Sequence, residues 1–480
     1  MKSDSLHAVL SGIAPDGGLF IDPEIDNIKF DVKETLKLST QQISAKILSV
    51  LLPEYKNMDS LVEKAYRNKF ETEDLTPLVN VGDDYVLELF RGPTSAFKDV
   101  ALSMLPVLIS AARKQTGSKE ETIILTATSG DTGKAALEGF KDVDGTKIIV
   151  FYPHNGVSAI QKAQMTTQEG SNVQVCAVKG NFDDCQTGVK KAFSELASKL
   201  ENSPYKLSSA NSINIGRLAP QVVYYFAAYR DLVNSGKINW PDKVDFIVPT
   251  GNFGDILAGF YAKLMGLPVG KLICAANVNN VLTQFIRTGI YDKNRPFYKT
   301  DSPSMDILVS SNLERLLFLA CGKNSEQVSS WMKDLSQKGC FKVDDNTLAY
   351  IQKHFDTWFC TEEETLFEIN DCWTKNHYLM DPHTAVAWHA LRRYKENRTP
   401  NGPCVVLSTA SPYKFPCAVL KALGIESEKD EFERMNLLHE ITGVNIPKNL
   451  ATLKGKQQRF DDVIENNGIK DYVLKCLEQE

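Results

Sequence analysis

The sequence predicts an α/β protein built on two open, mostly parallel sheets in two domains, with a helical cap domain at its N-terminus. Three observations carry that expectation. Short β-branched runs give way repeatedly to small-residue loops and then to helix-patterned segments, the signature of parallel strands buried on both faces by crossover helices. The series is interrupted, which divides it between two sheets. The 480 residues also exceed what one hydrophobic core holds.

Element by element, ETIILTA (121–127) precedes TSGDTG (128–133) and the helix-like KAALEGF (134–140). TKIIVFYP (146–153) precedes SAIQKAQMTTQEG (158–170), and VQVCAVKG (173–180) follows. KVDFIVP (243–249) leads through TGNFGD (250–255) into ILAGFYAKLMG (256–266) and then KLICAAN (271–277). CVVLSTASPYKF (404–415) turns into PCAVLKAL (416–423). Residues 1–90 differ: a turn-rich APDGGLFIDPEI (14–25) is followed by helical stretches such as ETLKLSTQQISAKILSVLL (34–52), read as the cap domain. The expected division is a cap at 1–90, a smaller α/β domain at 91–220 and a larger one at 221–480. The last 60 or so residues are charged and helix-patterned, and RFDDVIENNGIKDYVLKCLEQE (459–480) has the apolar spacing of a surface helix.

Composition narrows the function classes. A net charge of −6 without a basic block argues against nucleic acid or an anionic membrane as partner. The N-terminus lacks an apolar run of signal-peptide length, and no 18-residue apolar stretch occurs. Ten cysteines without a CxxC spacing suit reduced thiols in a cytoplasmic protein. The seven histidines form no HExxH, and His383 and His389 lie six apart, on different helix faces. No metal site is expected.

The stretch RGPTSAFKDVALSML (91–105) places Lys98 where a helix begins. A cation there opposes the macrodipole, and Pro93, Thr94, Ser95, Ala96 and Phe97 would desolvate it. Both effects lower an amine's pKa, as a Schiff-base lysine requires; by itself the same pattern also fits a solvated lysine in a first turn. TSGDTG and TGNFGD are strand–helix junctions suited to anions, or ordinary turns. A P-loop is excluded because Thr128 and Ala135 stand where it needs glycine and a hydroxyl. TGNFGD lacks the spacing of a dinucleotide fingerprint. In SSANSINIGRLAPQ (208–221), Asn211, Ser212, Asn214 and Arg217 suit a carboxylate or phosphate, or a capped helix with a surface arginine. STASPYKF (408–415) brings hydroxyls to a strand end, or is a plain turn.

Taken together, these pieces resemble the threonine synthases, fold-type II pyridoxal-phosphate enzymes, in the longer branch shared by bacteria and fungi. The resemblance spans nearly the whole chain through AVLSGIAPDGGLFI, GPTSAFKD, TATSGDTGKAAL, SINIGRLAPQ, VPTGNFGDILAG, SMDILVSSNLERLLF, DPHTAVAW and LSTASPYKF. It implies that Lys98 carries pyridoxal phosphate with Phe97 beside the ring. Gly251, Asn252, Phe253, Gly254 and Asp255 would cradle the cofactor phosphate, and Thr409 would meet the pyridine nitrogen. Ser129, Asp131, Thr132 and Gly133 would surround the substrate carboxylate and the ring's 3′-oxygen. Asp131 replaces the asparagine of shorter relatives, a pairing that needs either the acid or the phenol protonated. Asn211, Ser212, Asn214 and Arg217 would surround the substrate phosphate. The implied reaction turns O-phospho-L-homoserine and water into L-threonine and phosphate, by a monomer or a homodimer. The rivals are a fold-type II dehydratase or sulfhydrylase, against which APDGGLF and DPHTAVAW argue, and a catalytically silent ligand-binding relative.

Overall fold

The computed structural model describes residues 3–478 apart from residues 198 and 201. In chain order its strands are β1 (Leu78–Val81), β2 (Asp84–Glu88), β3 (Glu121–Ala127), β4 (Thr146–Pro153), β5 (Val173–Lys179), β6 (Tyr205–Ser209), β7 (Val244–Pro249), β8 (Val269–Ala276), β9 (Ile290–Asp292), β10 (Cys340–Lys342), β11 (Phe355–Phe359), β12 (Cys404–Ser408) and β13 (Val463–Glu465). The larger sheet runs β1-β2-β12-β7-β8-β11, parallel except for the edge strand β1. The smaller runs β13-β5-β4-β3-β6 and is parallel throughout. β9 and β10 form a separate antiparallel pair. The fold is thus α/β with two mostly parallel sheets.

The smaller sheet shows why its strands read as unbroken apolar runs. Ile124, Ile148 and Val150 face the main core, whereas Ile123, Leu125, Ile149 and Phe151 face a second cluster with Cys185, Val189 and Val473. Side chains alternate, but both faces are covered, so no polar alternation survives.

Two boundaries differ from expectation. β1 and β2, inside the stretch read as a helical cap, extend the larger sheet; the helices Ser5–Ser11, Thr40–Leu51 and Met58–Tyr66 precede them. At the other end, Val463–Glu465 is a strand of the smaller sheet, and the helix Ile469–Glu478 buries Ile469, Tyr472 and Val473 against it. The charged surroundings hid a three-residue strand whose partner is almost 300 positions away.

The helix Lys98–Thr116 joins the two halves. It follows β2 of the larger sheet, yet it lies so close to the helix Asp131–Phe140 of the smaller that a Cβ on Gly139 would sit 2.0 Å from the Leu102 carbonyl oxygen. Backbone cannot yield as a flexible side chain does, so Gly139 is required for this approach. Gly139→Ala should destabilise the protein by about 1–3 kcal/mol despite alanine's better helix propensity; an unchanged urea midpoint would refute the packing argument.

Candidate active site

The cleft lies at the carboxyl ends of strands from both sheets, where open α/β sheets bind ligands. The loops after β2, β3, β6, β7 and β12 all reach it. It spans about 890 Å³ of space between atoms, open solvent at its mouth included.

Lys98 is the first residue of its helix and is buried. The approach to it is sewn to the end of β12. Leu89 N–H donates to the Ser408 carbonyl (2.9 Å), Phe97 N–H to that of Thr409 (2.8 Å), and Ser411 N–H to that of Ser95 (3.2 Å). Ser95 adopts a left-handed φ of 58°, a conformation that costs a non-glycine residue energy and that the surrounding bonds must hold. Asp99 accepts from the Thr94 N–H (2.9 Å) and the Thr94 hydroxyl, closing the turn. Tyr224 donates to the Phe97 carbonyl (2.6 Å). Lys98 Nζ lies 4.3 Å from the Phe97 ring centroid and 3.8 Å from Asp131 Oδ2. Burial pulls its amine down to about 8, opposed by Asp131 and assisted by the charges of Arg217 and Lys414. A lowered amine, far more often neutral than a solvated lysine, is what a nucleophilic lysine needs.

Asp131 is itself buried, with Lys414 Nζ 2.6 Å from Oδ1 and Gln161 donating to the same oxygen at 2.8 Å. Burial would raise its carboxyl, but Lys414 and Lys98 outweigh that and hold it well below the usual carboxylate range. It is an ionised carboxylate neutralised by Lys414. The awkward acid of the sequence therefore has a cationic partner that was overlooked inside STASPYKF.

The β7 loop turns through Phe253, at a φ of 61°, into the helix Gly254–Leu264, whose first N–H groups have no intrahelical acceptor. A Cβ on Gly251 would sit 2.7 Å from the Ser304 carbonyl oxygen, so this glycine, which also lines the cleft, admits a neighbouring loop. The Asn252 carbonyl accepts from Asn312. Burial lifts Asp255 to about 7, against the hydroxyl of Tyr225 and the charge of Lys98. A half-neutral acid repels a phosphate far less than a carboxylate would.

Ser129, Thr132, Asn211, Ser212, Arg217 and Thr409 line the same cleft as Lys98 and Phe97. Arg217 is buried, and burial draws its guanidinium down to about 10. It donates to the Ala210 carbonyl (2.6 Å), its Nε has no partner, and no carboxylate among the described residues pairs with it. Such a cation is costly unless an anion joins it.

Asp131 lies outside the cleft lining, and two further predicted residues do not line it either. Gly133 packs against Thr128 and Met165, and its N–H donates to the Thr128 hydroxyl (2.8 Å), which also accepts from Gly130 (2.9 Å). Asn214 caps the short helix Ile215–Leu218 through Gly216 N–H (2.9 Å), while its amide donates to the carbonyls of Val9 (2.9 Å) and Ser209 (3.2 Å). Both shape the loops from behind.

Sequence reasoning missed Lys414, Gln161 and His383. His383 lines the cleft, with Nδ1 2.6 Å from Asp381 Oδ2 and Nε2 accepting from Ser304 N–H (3.1 Å). DPHTAVAW was the available signal, since Asp381 caps the helix that presents it. Away from the cleft, Cys360, Glu364 and His389 bring possible metal donors within 4.8 Å of one another. Each is already engaged: His389 with Glu368 (3.1 Å), Glu364 with Thr361 N–H (2.8 Å), and Cys360 with Thr365 Oγ1 (3.3 Å).

A family model described as pyridoxal-phosphate dependent enzyme matches residues 75–410, and a threonine synthase C-terminal model matches 384–473. The Saccharomyces cerevisiae threonine synthase is 38% identical over 98% of this chain and 95% of its own. The chain belongs to the threonine synthase family. It is also 39% identical to threonine synthase-like 1 of Macaca fascicularis, over 98% of this chain and 66% of that protein. The crystal structure of pyridoxal-phosphate-bound threonine synthase from Brucella melitensis superimposes with a TM-score of 0.84 at 37% identity, covering 99% of this chain and 97% of that one. The family cofactor is pyridoxal phosphate, and the residues present fit it: a desolvated amine, a helix start for a phosphate, and an Asp255 Oδ2 buried without a protein partner.

Replacing Arg217 with Met should raise stability towards urea by about 1–3 kcal/mol, because an unpaired buried charge is removed. The same change should cost at least about tenfold in affinity for inorganic phosphate. Unchanged phosphate affinity would remove the anion-binding role.

Proposed function

We propose that Lys98 carries pyridoxal phosphate and that the cleft converts O-phospho-L-homoserine and water to L-threonine and phosphate. The observation that supports this most directly is the pairing, in one cleft, of a low-pKa amine with an arginine that has no carboxylate partner among the described residues.

Lys98 and the 251–255 loop would hold the cofactor, with Phe97 along the ring and Thr409 at the pyridine nitrogen. The cofactor supplies an electron sink for the pair left at Cα; a neutral threonine hydroxyl, unlike an aspartate, leaves the pyridine nitrogen unprotonated and tempers that sink. Ser129 and Thr132, beside the N-terminus of the helix Asp131–Phe140, would bind the substrate carboxylate, where N–H groups and the helix dipole favour an anion. Arg217, Asn211 and Ser212 would bind the γ-phosphate and stabilise it as it departs, in surroundings where such contacts gain strength through exclusion of water. Once the substrate amine has taken its place, the Lys98 amine is a base and then an acid. It would remove protons at Cα and Cβ, deliver one to Cγ after the phosphate has left, and return one to Cα after water adds at Cβ. With an amine at about 8, protonation below that pH removes the base, so the rate should rise with pH through that region.

The free thiols of all ten cysteines suit a reducing, cytoplasmic setting. Among the described residues no helix is long and apolar enough to cross a membrane. We place the reacting groups in one smaller domain around Lys98 and one larger domain around the phosphate loop.

Purified protein should be yellow and release one phosphate per threonine formed from O-phospho-L-homoserine. Borohydride should fix the cofactor on the peptide holding Lys98, and Lys98→Ala should lower turnover by at least about a thousandfold. Appreciable turnover in that variant would refute the role of Lys98. Keto-acid formation from threonine without phosphate chemistry would favour a dehydratase, and tight binding without product a silent binding protein.

A further inference from the structure

Asp131 stands between two lysines at unequal distances. Lys414 Nζ is 2.6 Å from Oδ1, whereas Lys98 Nζ is 3.8 Å from Oδ2, beyond hydrogen-bond reach. Lys414 is completely buried. It follows β12 in the turn Pro412–Lys414, on the larger sheet's side, and its ammonium also donates to the Thr94 carbonyl (3.3 Å). Asp131 belongs to the smaller sheet's side, as does Gln161, which shares Oδ1 with Lys414. A fully buried lysine–aspartate pair is expensive to assemble, and an isolated pair here would serve no obvious purpose. Beside a reactive amine it has one.

We propose that Lys414 is a positioning residue for Lys98: by binding Asp131 it keeps that carboxylate from closing on the Lys98 amine. The inference rests on the reading of Lys98 as the cofactor lysine. A carboxylate in direct contact with that nitrogen would lock it as an ammonium, useless as a nucleophile or a base. Held back by Lys414 and Gln161, Asp131 still orients Lys98 without capturing it. The other charges facing Lys98 do not replace this device. Arg217 on the helix Ile215–Leu218 is cationic, while Asp99 on Lys98's own helix and Asp255 on the helix Gly254–Leu264 are drawn to about 6 and about 7 by burial. His383, on the helix Pro382–Asn397, is turned to Asp381 and Ser304. Among the described residues Asp131 is the acid within 3.8 Å of the Lys98 nitrogen, so its restraint decides the proton on the amine.

The test is a pH titration of the full-length holoenzyme, followed through the visible band of the bound cofactor, whose change reports the proton on the Lys98 nitrogen. In Lys414→Gln, Asp131 has Lys98 as its nearest cation, so the midpoint should rise by one unit or more. Capture of added pyridoxal phosphate after its removal should slow about tenfold per unit at pH 7. Adding Asp131→Asn to that variant should bring the midpoint back to the wild-type value or below. A midpoint that stays or falls in Lys414→Gln overturns the proposal. Should Lys414→Gln not fold, Asp131→Asn alone decides the matter. With Lys414 then uncompensated beside Lys98, the midpoint must fall, and a rise or no change is equally fatal. Borohydride mapping separates the two levels: cofactor fixed elsewhere than Lys98 overturns the functional reading and this inference together, whereas cofactor on Lys98 with an unmoved midpoint overturns this inference alone.

Discussion

The seam between residues 89–97 and 408–411 is the constraint on which the cleft depends. Neither segment is a regular strand pair over its length, yet three backbone hydrogen bonds and an isolated bridge at Ala96 and Ala410 hold them in register. That seam sets three groups at once: Lys98 at the start of its helix, Thr409 at the end of β12, and Lys414 one turn further on. Backbone bonds of this kind fix position more tightly than side-chain contacts, because they carry no rotamer freedom of their own. The left-handed Ser95 shows the cost of the arrangement. Asn449, from the C-terminal part of the chain, bonds both Ser95 Oγ (3.0 Å) and the Pro93 carbonyl (2.7 Å) and so helps to hold it.

Electrostatics then tunes what geometry has placed. Burial acts on every ionisable group in the cleft in the same sense, against charge, but the outcomes diverge according to partners. Asp131, with a lysine at 2.6 Å, stays ionised. Asp255, with only a tyrosine hydroxyl at 3.1 Å, rises to about 7. Two buried acids near Lys98 therefore differ in charge state, Asp131 fully ionised and Asp255 about half so at neutral pH.

The architecture was largely legible because its central strands are long and wholly apolar. ETIILTA and TKIIVFYP need no partner to be recognised, and both form strands at the expected positions. β6 (YKLSS) and β13 (VIE) were not legible: each is short, partly polar, and held by pairing with a strand distant in sequence. The same physics divides the site. Lys98 announced itself through local neighbours that desolvate it, and Arg217 through its small polar company. Asn214 carried the same signal but is spent on a helix cap and on the N-terminal segment, a choice that only the tertiary fold makes. Lys414 was invisible for the complementary reason. A lysine followed by Phe-Pro at a helix start looks solvated, and its burial comes entirely from elements that meet it in space.

The charge balance of the cleft connects these particulars. Lys98, Lys414 and Arg217 are three buried basic groups around the cleft, and Asp131 is an acid beside them that stays firmly ionised. Asp99 and Asp255 are both lifted by burial, to about 6 and about 7, so of the two Asp255 is the more weakly charged at neutral pH. A protein interior does not tolerate such an excess without compensation, and the loops that start helices at Asp131 and Gly254 add positive potential rather than relieving it. The excess is best understood as complementary to ligands that arrive carrying phosphate and carboxylate groups. A neutral amino acid of the same shape would fill the cleft yet leave Arg217 uncompensated. On the proposed role of Arg217, selection for phosphorylated ligands would follow from the free energy of a buried guanidinium.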